Sequence, residues 1–362
     1  MKRYLQRGPF GSILVMLCLS LAPIATAAEP AKPWRALADY PRPASPDTGW
    51  GIHDNPNCIW VPEKPAKFFV FLRERWGFTW FKVLACGLNK LDVVRAARKA
   101  GVEPVVRLYK ERPAPHYPRE GEEEAELREL IRAYVAAGAH YIEVGNEPNL
   151  ELEWAEGEWA KGNLTERICK QWLRVKPLIQ EEGGIPVFFA MSVGGADGRS
   201  AGAWWQDCLD TFKRWDKIEE AFAGAAFGAH LGPSNHPLDY PFDEKRNMPH
   251  ATKAERIESL MQNNTCYLGV ELLTHLIHEY LPHPIPILST EGGAFPDNHD
   301  DKNYPAITPE LHSELNVGIF RRMNPDHAEY WGDLLFAQMS WIYHADTGQF
   351  AIDSWFANPK YG

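Results

Sequence analysis

The sequence predicts an α/β fold: a (β/α)8 barrel, one domain with loop insertions at its C-terminal face. Three observations predict it. Strand-like runs alternate with helix-like runs from about residue 46 to the end, the order expected of βαβ units around a parallel sheet. About eight strands can be counted, the number that closes a barrel. No repeat and no Ser/Gly linker marks a second domain.

The elements follow in order. Trp50-Gly51-Ile52-His53 is a short first strand, and Phe68 to Trp76 reads as a helix. Phe78 to Leu84 is an apolar, aromatic strand. Lys90 to Ala100 has helical periodicity and ends at Gly101. Glu103 to Tyr109 is a strand of β-branched character. Glu122 to Ala137 is a helix with an acidic first turn and an apolar stripe, stopped by Gly138. Tyr141 to Gly145 is the fourth strand. Arg167 to Glu182 is helical, closed by Gly183-Gly184. Pro186 to Met191 is a buried strand, Ala203 to Trp215 a helix and Ala226 to Leu231 a strand. Thr252 to Leu281 is largely helical and stops at Pro282. Ile285 to Thr290 is a strand, Asp326 to Phe336 is helical, and Gln338 to Tyr343 is the last strand.

The first residues stand apart. Lys2, Arg3 and Arg7 precede an apolar run from Ile13 to Ile24, and Ala25-Thr26-Ala27 supplies a small-residue exit. This is the pattern of a secretory leader over 1–27. Residues 28–45, rich in Ala and Pro, form a lead-in, and 46–362 form the barrel domain. The expected location is secreted or periplasmic. No other stretch is long and apolar enough to cross a bilayer, so no membrane partner is expected after leader removal.

Removing the leader takes the formal charge from -10 to -13. An acidic surface disfavours nucleic acid and anionic membranes and suits a neutral partner. Five cysteines remain after Cys18: Cys58, Cys86, Cys169, Cys208 and Cys266. An odd count leaves at least one thiol unpaired. Export permits a bridge, and no C-x-x-C pair points to zinc. The 14 tryptophans are many for this length, as is common where sugar rings stack on indole faces.

Two stretches carry chemistry. Glu143-Val144-Gly145-Asn146-Glu147-Pro148-Asn149 ends the fourth strand with an Asn-Glu-Pro. Ile287-Leu288-Ser289-Thr290-Glu291-Gly292-Gly293 ends the seventh with a carboxylate and two glycines. Active sites of such barrels sit at the C-terminal edge, and strands four and seven face each other across the mouth. Paired carboxylates there suit glycoside hydrolysis, in which one protonates the leaving oxygen and the other lies below the ring. Glu147 must then carry a proton while Glu291 is ionised. Mutual repulsion in an apolar site favours that split. Asn146 would hydrogen-bond a sugar 2-hydroxyl. The bland alternative for Asn-Glu-Pro is a helix start, with Asn as N-cap and Pro in the first turn.

Asn146-Glu147-Pro148 and, 144 residues after Glu147, Thr290-Glu291-Gly292 resemble the clan A glycoside hydrolases, the superfamily of TIM barrels that includes glycoside hydrolase families 5 and 39. The resemblance covers the mature chain in strand order and is specific at these two motifs. It implies a retaining hydrolase with Glu147 as general acid/base, Glu291 as nucleophile and Asn146 as the 2-hydroxyl partner. Arg107, ending the third strand, would hold Glu291. His230 ends the sixth strand, where many clan members have His-x-Tyr with the tyrosine on the nucleophile. Gly232 occupies the tyrosine position here, so either Tyr240 or another residue replaces it, or the contact is absent. Trp341 is the candidate platform under the sugar, with Trp355 as competitor. His53 would bind substrate hydroxyls. For Arg107 the alternative is a surface ion pair; for His230 and His53 it is core packing. Trp154 and Trp159, in the loop after the acid/base motif, are sugar subsites or core.

Three further motifs read as structure. His275-Leu-Ile-His278-Glu279 lacks the His-Glu-x-x-His order. Asp297 to Asp301 is a loop rather than a calcium site, and Gly194 to Gly198 lacks a phosphate-binding lysine. The expectation is therefore an exported O-glycosyl hydrolase acting on a β-linked oligosaccharide or polysaccharide, without cofactor or metal. Endo action is preferred, with long loops after strands four, six and seven as the walls of a cleft; the alternative is that they close a pocket for exo action. The alternatives are a carbohydrate-binding barrel without turnover and a transglycosylase using the same residues.

Overall fold

The computed structural model describes residues 34–263, 265–345 and 351–355. The leader at 1–27 and the start of the lead-in lie outside them. Eight strands close into a barrel in sequence order, every neighbour parallel. They are β1 (Trp50–His53), β2 (Trp80–Ala85), β3 (Glu103–Leu108), β4 (Tyr141–Val144), β5 (Ile185–Phe188), β6 (Ala226–Leu231), β7 (Ile287–Gly292) and β8 (Leu335–Ser340). The helices are α1 (Pro65–Trp76), α2 (Leu91–Lys99), α3 (Glu122–Ala136), α4 (Leu164–Glu181), α5 (Ala201–Arg214), α6 (Ile218–Phe222), α7 (Lys253–Gln262), α8 (Gly269–Tyr280) and α9 (Pro309–Arg321). This is the (β/α)8 barrel that the alternation predicts.

Local chemistry explains the helices. Glu122, Glu123 and Glu124 crowd the first turn of α3, where the helix dipole favours anions. Its buried residues Leu127, Ile131 and Tyr134 fall at helical spacing on one face. Ser200 caps α5 by accepting from Ala203 N, and Thr252 and Glu255 form a capping box at α7.

Three readings of the chain need correction. The helix expected over Asp326–Phe336 is absent: the last α-helix among the described residues is α9, and residues 326–334 are turns and loop leading into β8. The start signals lie earlier, because Thr308 accepts from Leu311 N and Pro309 takes the first helical turn. Downstream, Pro325 and Gly332, the latter at φ +90°, oppose a helix. The long helix expected over Thr252–Leu281 is two. Asn263 ends α7, where its Oδ1 accepts from Tyr240 Oη and Arg246. The last strand runs Leu335–Ser340, so Trp341 sits just beyond it.

Cys58 and Cys86 form a disulfide, while Cys169, Cys208 and Cys266 are buried thiols. Among the described residues no helix is long and apolar enough to cross a membrane.

The barrel interior is polar near the top of the strands. Lys82 of β2 and Glu143 of β4, both fully buried, form an ion pair. Thr290 Oγ1 donates to Glu143 Oε1 at 3.0 Å. Asp54 and Lys90 form a second buried pair at 2.9 Å. Buried charges of this kind need partners, and here they supply them to one another.

Candidate active site

A cavity of about 1030 Å³ opens at the C-terminal ends of the strands. Glu147, Glu291, Asn146, Arg107, His230, Trp341, His53 and Tyr240 all line it. The sequence reading therefore gathers eight positions from different parts of the chain into one concavity.

Glu147 sits on an unusual turn. No helix follows Asn146, so that residue is no N-cap; the chain instead turns into a 3-10 segment at Glu151–Glu153. Gly145 has φ +91° and Glu147 φ +30°, a left-handed conformation that a glutamate adopts at a cost. A Cβ on Gly145 would meet Phe189 Cε1 at 2.9 Å. The turn is held by Leu150 N donating to Glu147 O at 2.8 Å, by Asn149 exchanging hydrogen bonds with the Ser192 backbone, and by Trp154 Nε1 donating to Pro148 O at 2.8 Å. Strain maintained by surrounding contacts is typical of functional positions.

Glu291 reaches the same space from β7. The β6–β7 register slips by one residue between Ala229 and His230, so that His230 pairs with Glu291 and Thr290 is passed over. A bulge of this sort re-aims side chains, and here it sets imidazole beside carboxylate. Arg107 Nη1 donates to Glu291 Oε1 at 3.0 Å, and the Nε2 atoms of His53 and His230 lie 3.7 and 3.8 Å from that oxygen. Burial pushes the Glu291 carboxyl up, but the charges of His230, then His53, Lys82 and Arg107, outweigh it and hold the group at about 2.

His53 is fully buried, and burial pushes it down to about 3. It is neutral wherever the protein is folded near neutrality, so the cations facing Glu291 there include Arg107 and Lys82. The carbonyl of Asp54, 3.0 Å from His53 Nδ1, can only accept, which puts the ring proton on Nδ1. Burial also works to lower His230, but Glu291 and the bond to Glu147 prevail and raise it. Its Nδ1 lies 2.8 Å from Glu147 Oε1. One imidazole ring thus stands between the two carboxyl groups.

The other expected residues divide. Trp341 packs edge-on against His53 at 4.7 Å and donates from Nε1 to Asp353 Oδ2 at 3.2 Å. Trp355 packs against His312 and the core, and its Nε1 donates to Trp341 O. Tyr240 lines the cavity, but its hydroxyl donates to Asn263 Oδ1 rather than to Glu291, and its ring stacks on His236 at 3.8 Å. Gly232 approaches β7 closely: a Cβ there would lie 3.1 Å from Gly293 O. Trp154 is core, 1% exposed, and Trp159 packs between it and Trp204. His275 pairs with Glu279 on α8. In the Asp297–Asp301 loop, Asp301 pairs with His236 while Asn298 and Asp300 accept from Ser234 Oγ. Among the described residues no group of three or more His, Cys, Asp or Glu is arranged to hold a metal ion.

Sequence reasoning missed Glu153 and Asp353, two further carboxyl groups on the cavity wall. Burial raises both. No motif marks them; the one signal for Glu153 is its place in the loop that follows Asn-Glu-Pro.

The chain matches no sequence-family profile and no curated protein. Among solved structures it is similar to a β-mannanase from Thermomonospora fusca in complex with mannotriose, at 11% identity over 84% of this chain and 81% of that one, with a TM-score of 0.42. It is also similar to a probable tagatose 6-phosphate kinase from Sinorhizobium meliloti 1021, at 12% identity over 68% and 60% and a TM-score of 0.37. A D-psicose 3-epimerase with D-fructose aligns at 11% identity over 59% and 81%, with a TM-score of 0.32. The barrel assignment rests on the strand pairing given above.

Proposed function

We propose that this protein is an exported retaining glycoside hydrolase that cleaves a β-linked glycan with Glu147 as general acid/base and Glu291 as nucleophile. The observation that carries the reading is the His230 ring between two carboxyl groups, 2.8 Å from one and 3.8 Å from the other. The carboxyl oxygens are then no farther apart than those contacts and one ring's width, a bound that admits the ~5–5.5 Å of retaining enzymes and also the ~6.5–9.5 Å of inverting ones; retention is proposed from the resemblance of the two motifs. His230 first, with Arg107 and the buried Lys82, favours the ionised form of Glu291 that attack requires.

In the first step Glu147 gives its proton to the glycosidic oxygen as Glu291 attacks the anomeric carbon. The aglycone leaves as an alcohol, and a glycosyl ester forms on Glu291. In the second step Glu147, now ionised, takes a proton from water, and the hydroxide attacks the same carbon. The ester breaks, the sugar leaves with its configuration retained, and Glu147 is protonated again. No cofactor enters the balance. A cavity of about 1030 Å³ stands at the top of the usual range for ligand pockets, which favours several sugar rings and endo action.

The test is hydrolysis of a glycan panel by wild type, Glu147→Gln and Glu291→Gln, with products read by mass and the anomeric proton followed by NMR. One glycan should be cut with retention, and each variant should lose ~100-fold or more in kcat. Undiminished activity in either variant removes the mechanism. Binding without cleavage makes the barrel a carbohydrate-binding protein, and sugar transfer to an added acceptor makes it a transglycosylase.

A further inference from the structure

We infer that Glu153 is a positioning residue that fixes the Asn146 amide and, through it, the orientation of Glu147. The inference rests on the reading of Glu147 as the acid/base.

Glu153 closes the 3-10 turn after the Asn-Glu-Pro motif, is 8% exposed and lines the cavity. Its Oε1 accepts from Asn146 Nδ2 at 3.0 Å. The same nitrogen donates to Glu147 Oε2 at 3.4 Å. Both neighbours are carboxyl oxygens, so the NH2 end of the amide has to face them. Glu147 is then held from two sides, with His230 at Oε1 and Asn146 at Oε2.

The segment bearing Glu153 is itself pinned. Ala114 N donates to Glu153 O at 3.1 Å, Ala155 N donates to Ala114 O at 2.9 Å, and Glu153 N donates to Leu150 O at 3.2 Å. The neighbouring Trp154 is buried and tied to Pro148 O. A carboxyl group placed rigidly in a buried wall, near two others and given one side-chain donor, opposes ordinary packing preference. Such departures concentrate at functional positions. Burial, then the charges of Glu147 and Glu291, push the Glu153 carboxyl up, while Asn146 and Arg107 work against them.

The test is a double-mutant cycle with a spectroscopic arm. Glu153→Ala should lose kcat on the order of tenfold to a hundredfold, the size expected when a hydrogen bond to a charged group is removed. KM should move less. Glu153→Gln keeps an oxygen for Asn146 Nδ2 and should recover most of the loss. Asn146→Ala should mask Glu153→Ala, so that the double variant is no slower than Asn146→Ala alone. Losses that multiply, or Glu153→Ala turning over at the wild-type rate, overturn the inference. The spectroscopic arm follows the Asn146 side-chain amide by ¹⁵N NMR, assigned by its disappearance in Asn146→Ala. Its shift should follow a carboxyl titration that Glu153→Gln abolishes. A signal indifferent to Glu153→Gln refutes the positioning role even if no glycan is cut, in which case the reading of Glu147 fails separately.

Discussion

His53 and Asp54 are adjacent, fully buried and displaced in opposite directions. Burial takes His53 from 6.5 down to about 3 and Asp54 from 3.8 up to about 7, the latter against the pull of Lys90. At pH 5 the folded protein therefore holds His53 neutral and Asp54 protonated, whereas the unfolded chain has the reverse. Each state binds one proton, so this pair leaves stability nearly independent of pH between about 4 and 6.5. His53→Asn, whose amide nitrogen replaces Nδ1 as donor to Asp54 O, removes half of that balance. His53 contributes stability that is present above 6.5 and lost as pH falls toward 3, so the variant gains relative to wild type on acidification. The slope is ~1.4 kcal/mol per pH unit, hence ~2 kcal/mol at pH 5 relative to the difference at pH 7. Asp54→Asn removes a carboxyl whose folded value is raised, so its relative stability falls over the same window. Urea unfolding of the disulfide-intact proteins from pH 7 to 5 measures both differences. Two flat difference curves, or two slopes of one sign, would refute the reasoning.

Two further perturbations test the frame. Lys82→Met leaves Glu143 ionisable, buried and without its cation, and should destabilise by ~3–5 kcal/mol in urea titrations. Lys82→Met with Glu143→Leu should restore much of it, and a tolerated single variant would mean that water reaches Glu143. Replacing both Cys58 and Cys86 by Ser opens a loop of 28 residues and should lower unfolding free energy by ~3.5 kcal/mol on loop-closure grounds. An unchanged denaturation midpoint would show that the bridge does not constrain the unfolded chain.

The barrel was legible because each strand is a short apolar run between strong punctuation, such as Gly101 before β3 and Gly138 before β4. The carboxylates at the ends of β4 and β7 were legible because both follow such runs directly. The last helix was not, since apolar residues around Trp331 mimic helical spacing while the start signal of α9, Thr308-Pro309, lies well upstream. Glu153 was hidden for a different reason. Its partnership with Asn146 depends on a loop docking against Ala114, a contact between distant segments that no local pattern encodes. The β6–β7 slip beside His230 is equally silent in the sequence, because a one-residue shift of register leaves composition and alternation unchanged.

The Lys82–Glu143 pair has a consequence for the surroundings in which this protein can work. Both side chains are wholly enclosed, whereas surface pairs such as Arg119 and Glu123 meet solvent. Dissolved ions damp an exposed pair within a Debye length of ~8 Å at physiological strength, but they do not penetrate the strands. The share of the potential at Glu291 that Lys82 supplies is therefore generated behind a dielectric wall. Brine strong enough to dissolve the surface pairs would leave it standing.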